Sequence, residues 1–109
     1  MQIVIDANII LAMLIKQGKT IDVFFNQRLE IHAPALLLTE LERNKHEIMK
    51  KSVLTQEDFN LLYGILTSNI KVIPEEEFLQ FRQKAVEICP HQKDVVYFAL
   101  ALHLKCPVW

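Results

Sequence analysis

Three acidic residues, Asp6, Glu40 and Asp94, stand where a carboxylate could do chemistry instead of only solvating a surface. Between Ile3 and Ile15 only Asp6 and Asn8 carry polar side chains. A carboxylate in such a stretch is costly unless it is paired, hydrogen-bonded or bound to a cation. The plainest use of Asp6 is as the N-cap of the following helix, accepting backbone N–H bonds. Asn8 has the same two readings. Glu40 lies among Leu36, Leu37, Leu38 and Leu41, at the edge of a buried stripe. Arg43 and Asn44 are within its reach for an ordinary structural pairing. Asp94 opens the apolar run Val95 to Leu102, where a cap is again the plainer reading. If the three acids meet, they repel one another and raise each other's pKa values. A divalent cation relieves that repulsion, and oxygen-only ligands suit Mg2+ or Mn2+ better than zinc.

The remaining reactive side chains point less clearly to a site. His91 and Asp94 flank a loop that reads as a turn and cap, and His32 and His103 fall inside apolar segments as core or edge residues. Cys89 and Cys106 form no metal-binding pattern and read as reduced thiols of a cytoplasmic protein. No Ser-His-Asp or Cys-His arrangement follows from spacing. Glu42 and Glu47 can pair with Lys45, His46, Lys50 or Lys51 as a solvated helix face. Arg43, Lys45, Lys50 and Lys51 could touch phosphates, but the intervening acids dilute that pattern.

The elements that would carry the three acids alternate between strands and helices. Ile3-Val4-Ile5 is a short β-branched run, and Ala7 to Ile15 a helix stopped at Lys16-Gln17-Gly18. Thr20 to Asn26 suggests a short helix with Ile21, Phe24 and Phe25 inward, and Leu29 to Ala33 a strand ended by Pro34. A long helix from about Ala35 to Lys50 carries the stripe Leu37, Leu41 and Ile48, with Leu38 alongside. Thr55-Gln56-Glu57-Asp58 resembles a capping box before Phe59, Leu62 and Leu66, and Ile70 to Ile73 is a third strand. Pro74 and Glu75 to Glu77 should start a helix with Phe78, Phe81, Ala85 and Ile88 inward, ended by Pro90. Asp94 to Leu104 is helical with Val95, Phe98, Ala99 and Leu102 inward, and Pro107-Val108-Trp109 begins a fourth strand. The alternation means an α/β fold with a parallel sheet. Ligands gather beyond the carboxyl ends of such strands, where Asp6 lies.

The 109 residues suit a single domain, residues 1–109, with one hydrophobic core. The formal net charge of -1 argues against nucleic-acid binding by bulk charge. With two glycines and neither GxGxxG nor GxxxxGK[ST], a Gly-rich phosphate loop is excluded. No apolar run is long enough for a transmembrane helix, and the start lacks the features of a signal peptide.

Four segments in order resemble the PIN domain family, small metal-dependent ribonucleases that include toxins of the VapC type. Ile3-Val4-Ile5-Asp6-Ala7-Asn8-Ile9-Ile10 is similar to the family's opening, and Ala33-Pro34 with Leu38-Thr39-Glu40-Leu41 to its second motif. Lys93-Asp94-Val95-Val96-Tyr97-Phe98-Ala99-Leu100-Ala101 resembles its third motif, and Lys105-Cys106-Pro107-Val108-Trp109 the strand leading into the fourth. The resemblance implies a PIN-like three-layer α/β/α fold with a short parallel sheet flanked by helices, C-terminally truncated. It implies Asp6, Glu40 and Asp94 as catalytic acids and ligands of Mg2+ or Mn2+, with Asn8 toward the substrate. The implied activity is endonucleolytic hydrolysis of RNA phosphodiesters, as the toxin of a toxin–antitoxin pair. The implied partners are RNA, a second copy in a homodimer and an antitoxin protein, with no membrane. The family's next strand usually carries a Ser-Asn-Asp type motif with a fourth acid, and the sequence stops at Trp109 before it. That departure supports an alternative, a catalytically impaired PIN-like module that binds protein or RNA. A receiver-like phosphoacceptor fits less well, because Asp6 has no acidic pair beside it and no later strand-end Lys.

Overall fold

Parallel strands cannot be joined by tight hairpins, so helical crossovers must separate them. The computed structural model, which describes residues 1–16, 18–26 and 28–109, has that pattern. Strand β1 (Gln2–Val4) is followed by helices α1 (Ala7–Ile15) and α2 (Lys19–Phe24). Strand β2 (Glu30–Pro34) is followed by α3 (Ala35–Lys51) and α4 (Gln56–Ser68), and then comes β3 (Ile70–Ile73). The sheet order is β1-β2-β3, all parallel, with Ile3 opposite Ile31 and Ile31 opposite Ile70. Two 3-10 turns, Glu75–Glu77 and Leu79–Phe81, lead into α5 (Arg82–Ile88). A third, Gln92–Asp94, runs into α6 (Val95–Leu104).

The helices form two layers around the sheet. Helix α1 packs on α3 and α4, which reach β2 and β3, while α6 lies on β1 and β2 with α5 against it. Both faces of the sheet are therefore covered, which explains why Ile3, Val4, Ile31, Ala33 and Ile70 are all buried. The core continues through Ile10, Met13 and Leu14 of α1, Leu37, Leu41 and Ile48 of α3, and Phe59 and Leu66 of α4. Two side-chain caps fix the helix joints. The Thr55 hydroxyl accepts from the Asp58 amide at 3.2 Å, and the Ser52 hydroxyl donates to the Leu14 carbonyl at 2.7 Å, across to α1.

Pro107, Val108 and Trp109 lie beside β1 on its other side. The Val4 amide donates to the Pro107 carbonyl (3.0 Å), the Trp109 amide to the Val4 carbonyl (2.7 Å) and the Asp6 amide to the Trp109 carbonyl (3.1 Å). Val4 and Val108 form a parallel bridge, the fourth-strand pairing read from the sequence. Lys105 turns the chain into this position with φ 56, in the left-handed region.

Several local expectations differ. Gly18 does not stop α1, because its φ of -168 is extended backbone at the start of α2. Gln17, part of that expected stop, lies outside the described residues. Phe25 follows the end of α2 and is exposed, its ring edge-on to buried Phe24 at 5.0 Å. The helix expected from Pro74 begins only at Arg82, because Phe78 leaves helical geometry (φ -126, ψ 14) as its ring enters the core. Ile88, expected inward, is exposed, and Cys89 is buried beside it. Glu42 accepts from the Tyr63 hydroxyl at 2.7 Å, and Lys45 sits 4.5 Å over that ring. The lysine pairs expected of Glu42 and Glu47 are not among the ion pairs of the described residues.

Candidate functional site

Asp6 comes just after β1, with Ile5 between, at the carboxyl end of the parallel sheet. Its backbone is extended (φ -81, ψ 148), and its Oδ1 accepts the Asn8 amide at 3.1 Å. The capping reading of Asp6 is therefore correct. It does not exhaust the side chain, since a carboxylate has about four acceptor sites and this bond uses one. Asn8 contributes its backbone N–H to the cap while its side chain is exposed.

Glu40 occupies the second turn of α3, which starts where β2 ends, so it too sits at the carboxyl end of the sheet. It lies between buried Leu37 and Leu41 and is half-buried itself. Burial pushes its pKa up, and the nearby Asp6 carboxylate pushes it further; Tyr97, Arg43 and Lys93 act in the opposite direction. The expected pairing with Asn44 goes to the Glu40 backbone carbonyl, at 2.8 Å, and not to its carboxylate.

Asp94 stands at the N-cap position of α6 but makes no capping bond with its side chain. The 3-10 turn before α6 holds Asp94 in helical geometry (φ -91, ψ -10), whereas a capping residue needs extended backbone. The cap reading is therefore wrong for Asp94.

A residue the sequence reading did not single out joins the three. Tyr97 lies one turn after Asp94 on α6 and is only 2% exposed. Its hydroxyl is buried without a hydrogen-bond partner of acceptable geometry. Burial raises its pKa most, and the carboxylates of Glu40, Asp6 and Asp94 each raise it further. All three acids thus act on one buried oxygen. Tyr97 is also the lone polar-tipped side chain in the apolar run Val95 to Leu102, a signal that could have marked it. Buried hydroxyls nearly always find a partner, so an orphan one near carboxylates is a feature to be explained.

A family model described as the PIN domain matches residues 4–109. The chain is a PIN domain. PIN domains are metal-dependent nucleases that act on RNA and typically use divalent ions. No curated protein matches the chain. The parallel sheet flanked by helices is the small PIN-like α/β architecture expected from the sequence.

The side chains of this PIN domain fit a divalent cation in their chemistry. The donors are oxygens, and a buried hydroxyl awaits a partner among them. No three His, Cys, Asp or Glu residues among those described stand close enough together to hold one ion. Mg2+ keeps several waters and binds through one or two carboxylates, the kind of ligand that Asp6 and Glu40 offer. No helix among the described residues is long and apolar enough to cross a membrane.

Proposed function

We propose that this PIN domain is a divalent-metal-dependent endoribonuclease that hydrolyses RNA phosphodiester bonds. Asp6, Glu40 and Asp94 are its metal-binding and catalytic acids, and the exposed Asn8 side chain lies toward the substrate. The observation that supports this reading is that Asp6 and Glu40 both stand at the carboxyl end of a parallel sheet, near enough for the Asp6 carboxylate to raise the Glu40 pKa.

When bound, Mg2+ or Mn2+ supplies a more acidic water and positive charge against the phosphoryl oxygens. The chain supplies the positioning. The capping bond holds Asp6 in one orientation, and helix α3 sets half-buried Glu40 at the same end of the sheet. Asp94, free of the capping bond, can turn its carboxylate toward the substrate or orient a water. Arg43 and Lys93, which act on Glu40, place positive charge next to the acids. They can hold a phosphate that the acids would otherwise repel.

We extend the reading to the toxin of a toxin–antitoxin pair, acting in the cytoplasm as a homodimer that an antitoxin protein restrains. Pro34 and Cys106-Pro107-Val108-Trp109, which resemble microbial PIN proteins, support this extension. The test is cleavage of single-stranded RNA by the purified chain with and without Mg2+ or Mn2+. Cleavage should require the ion and disappear in Asp6→Asn; equal cleavage by that variant would betray a contaminating nuclease and sink the proposal. One observation favours a second reading as a catalytically impaired binding module: the three acids do not close into a single ion-holding group. Retention of RNA without turnover at any ion concentration would establish it.

A further inference from the structure

We infer that Tyr97 is a positioning residue for Glu40, its buried hydroxyl being the donor that aims the Glu40 carboxylate at a bound divalent cation. This rests on the nuclease reading above and adds a residue to it. The hydroxyl is fully enclosed, yet no acceptor around it meets hydrogen-bond geometry. Leaving a buried donor unmade is costly, so the hydroxyl favours any arrangement that brings an acceptor to it. Glu40 is the acceptor for that bond: it stands on α3, which begins at the end of the strand β2 on which α6 lies, and its carboxylate acts on the hydroxyl.

Two features fit a positioning role better than a packing one. Tyr97 shares a face of α6 with Asp94, so one rigid helix presents both a carboxylate and a donor to the same place. Its ring is locked in the core while Glu40 is only half-buried, so the hydroxyl is the fixed partner and the carboxylate the adjustable one. A hydroxyl donating to one carboxylate oxygen leaves the other turned outward, and such outer partners set the orientation and affinity of metal ligands. A packing role alone needs the ring and gains nothing from the oxygen.

The test compares the wild-type chain, Tyr97→Phe and Asp6→Asn by calorimetric Mn2+ titration and thermal melting. Tyr97→Phe should weaken Mn2+ binding about 10- to 100-fold, the usual loss when a ligand's hydrogen-bond partner is removed. Its melting temperature should be equal to or above wild type, because an orphan hydroxyl is gone. Wild-type Mn2+ affinity in Tyr97→Phe, with Asp6→Asn impaired, overturns the Tyr97 role and leaves the nuclease reading standing. A wild-type chain that binds no Mn2+ overturns both. If Tyr97→Phe does not fold, the two tyrosines can be labelled with 13C in the wild type and assigned through Tyr63→Phe. The Tyr97 ring-carbon signal should then move on Mg2+ addition in the wild type and stay still in Glu40→Gln; an unmoved wild-type signal overturns the inference.

Discussion

The carboxylate of Asp6, at the end of β1, raises the pKa of Glu40 in the second turn of α3. Burial of Glu40 acts in the same direction and more strongly. The ordinary value is 4.5, and the folded value lies above it. The folded chain therefore holds a proton that the unfolded chain has lost, which favours folding at low pH and fades as pH rises through the folded value. At neutral pH the charged side chain is a net cost. Glu40→Gln should melt above wild type at pH 7, with the gap closing below 4.5, while binding Mn2+ more weakly. Melts at both pH values with a parallel metal titration check this.

Asp6 has two separable duties. Asparagine keeps an acceptor for the Asn8 amide, so Asp6→Asn should change stability by only a few tenths of a kcal/mol, whereas Asp6→Ala should lose about 0.5–2 kcal/mol with the cap. Both should abolish ion-dependent RNA cleavage. Urea denaturation beside the cleavage assay distinguishes the duties.

His32 gives the fold an acid-sensitive centre. It is 4% exposed on β2, in register between Val4 and Lys71. Neither ring nitrogen has a hydrogen bond, and Glu30 Oε2 is 3.9 Å from Nε2, beyond bonding distance. Burial and then Lys71 hold its pKa below 6.5, against the weaker pull of Glu30. Below 6.5 the unfolded chain gains a proton that the folded chain refuses until a lower pH, so stability falls as acidity rises. His32→Val should flatten that slope. Thermal melts of both chains across this range measure it.

Lys105 ends α6 in the left-handed region, with φ 56 and ψ 47. A residue with a Cβ is strained there by about 1–2 kcal/mol, and glycine is not. Lys105→Gly should therefore stabilise the fold by roughly 1 kcal/mol, less the entropy glycine adds to the unfolded chain. Equal or lower stability in urea would contradict this.

Strand β3, the apolar helix α1 and the stripe of Leu37, Leu41 and Ile48 on α3 could be read from the sequence because their patterns are plain. The span of α6 could be read as well, but not its full inward face, because it packs on the sheet and on α5 and is apolar nearly all round. The reading chose Phe98 and Leu102 as inward, whereas Tyr97, Leu100 and Ala101 are more deeply buried. Tyr97 is hidden in that run for the same reason. The segment from Glu75 to Phe81 misled in another way. Proline and acids predict a helix start, but burial of the Phe78 ring splits the segment into two short turns, and Arg82 Nη1 ties back to Glu75 at 3.3 Å.

The pairing of Trp109 with Val4 and Asp6 has a consequence for the newborn chain. Synthesis starts at β1, yet the Asp6 amide receives its carbonyl partner only when Trp109 has been made. Until then the first strand is open on one side. The first strand is therefore closed by a long-range pairing that forms late in synthesis.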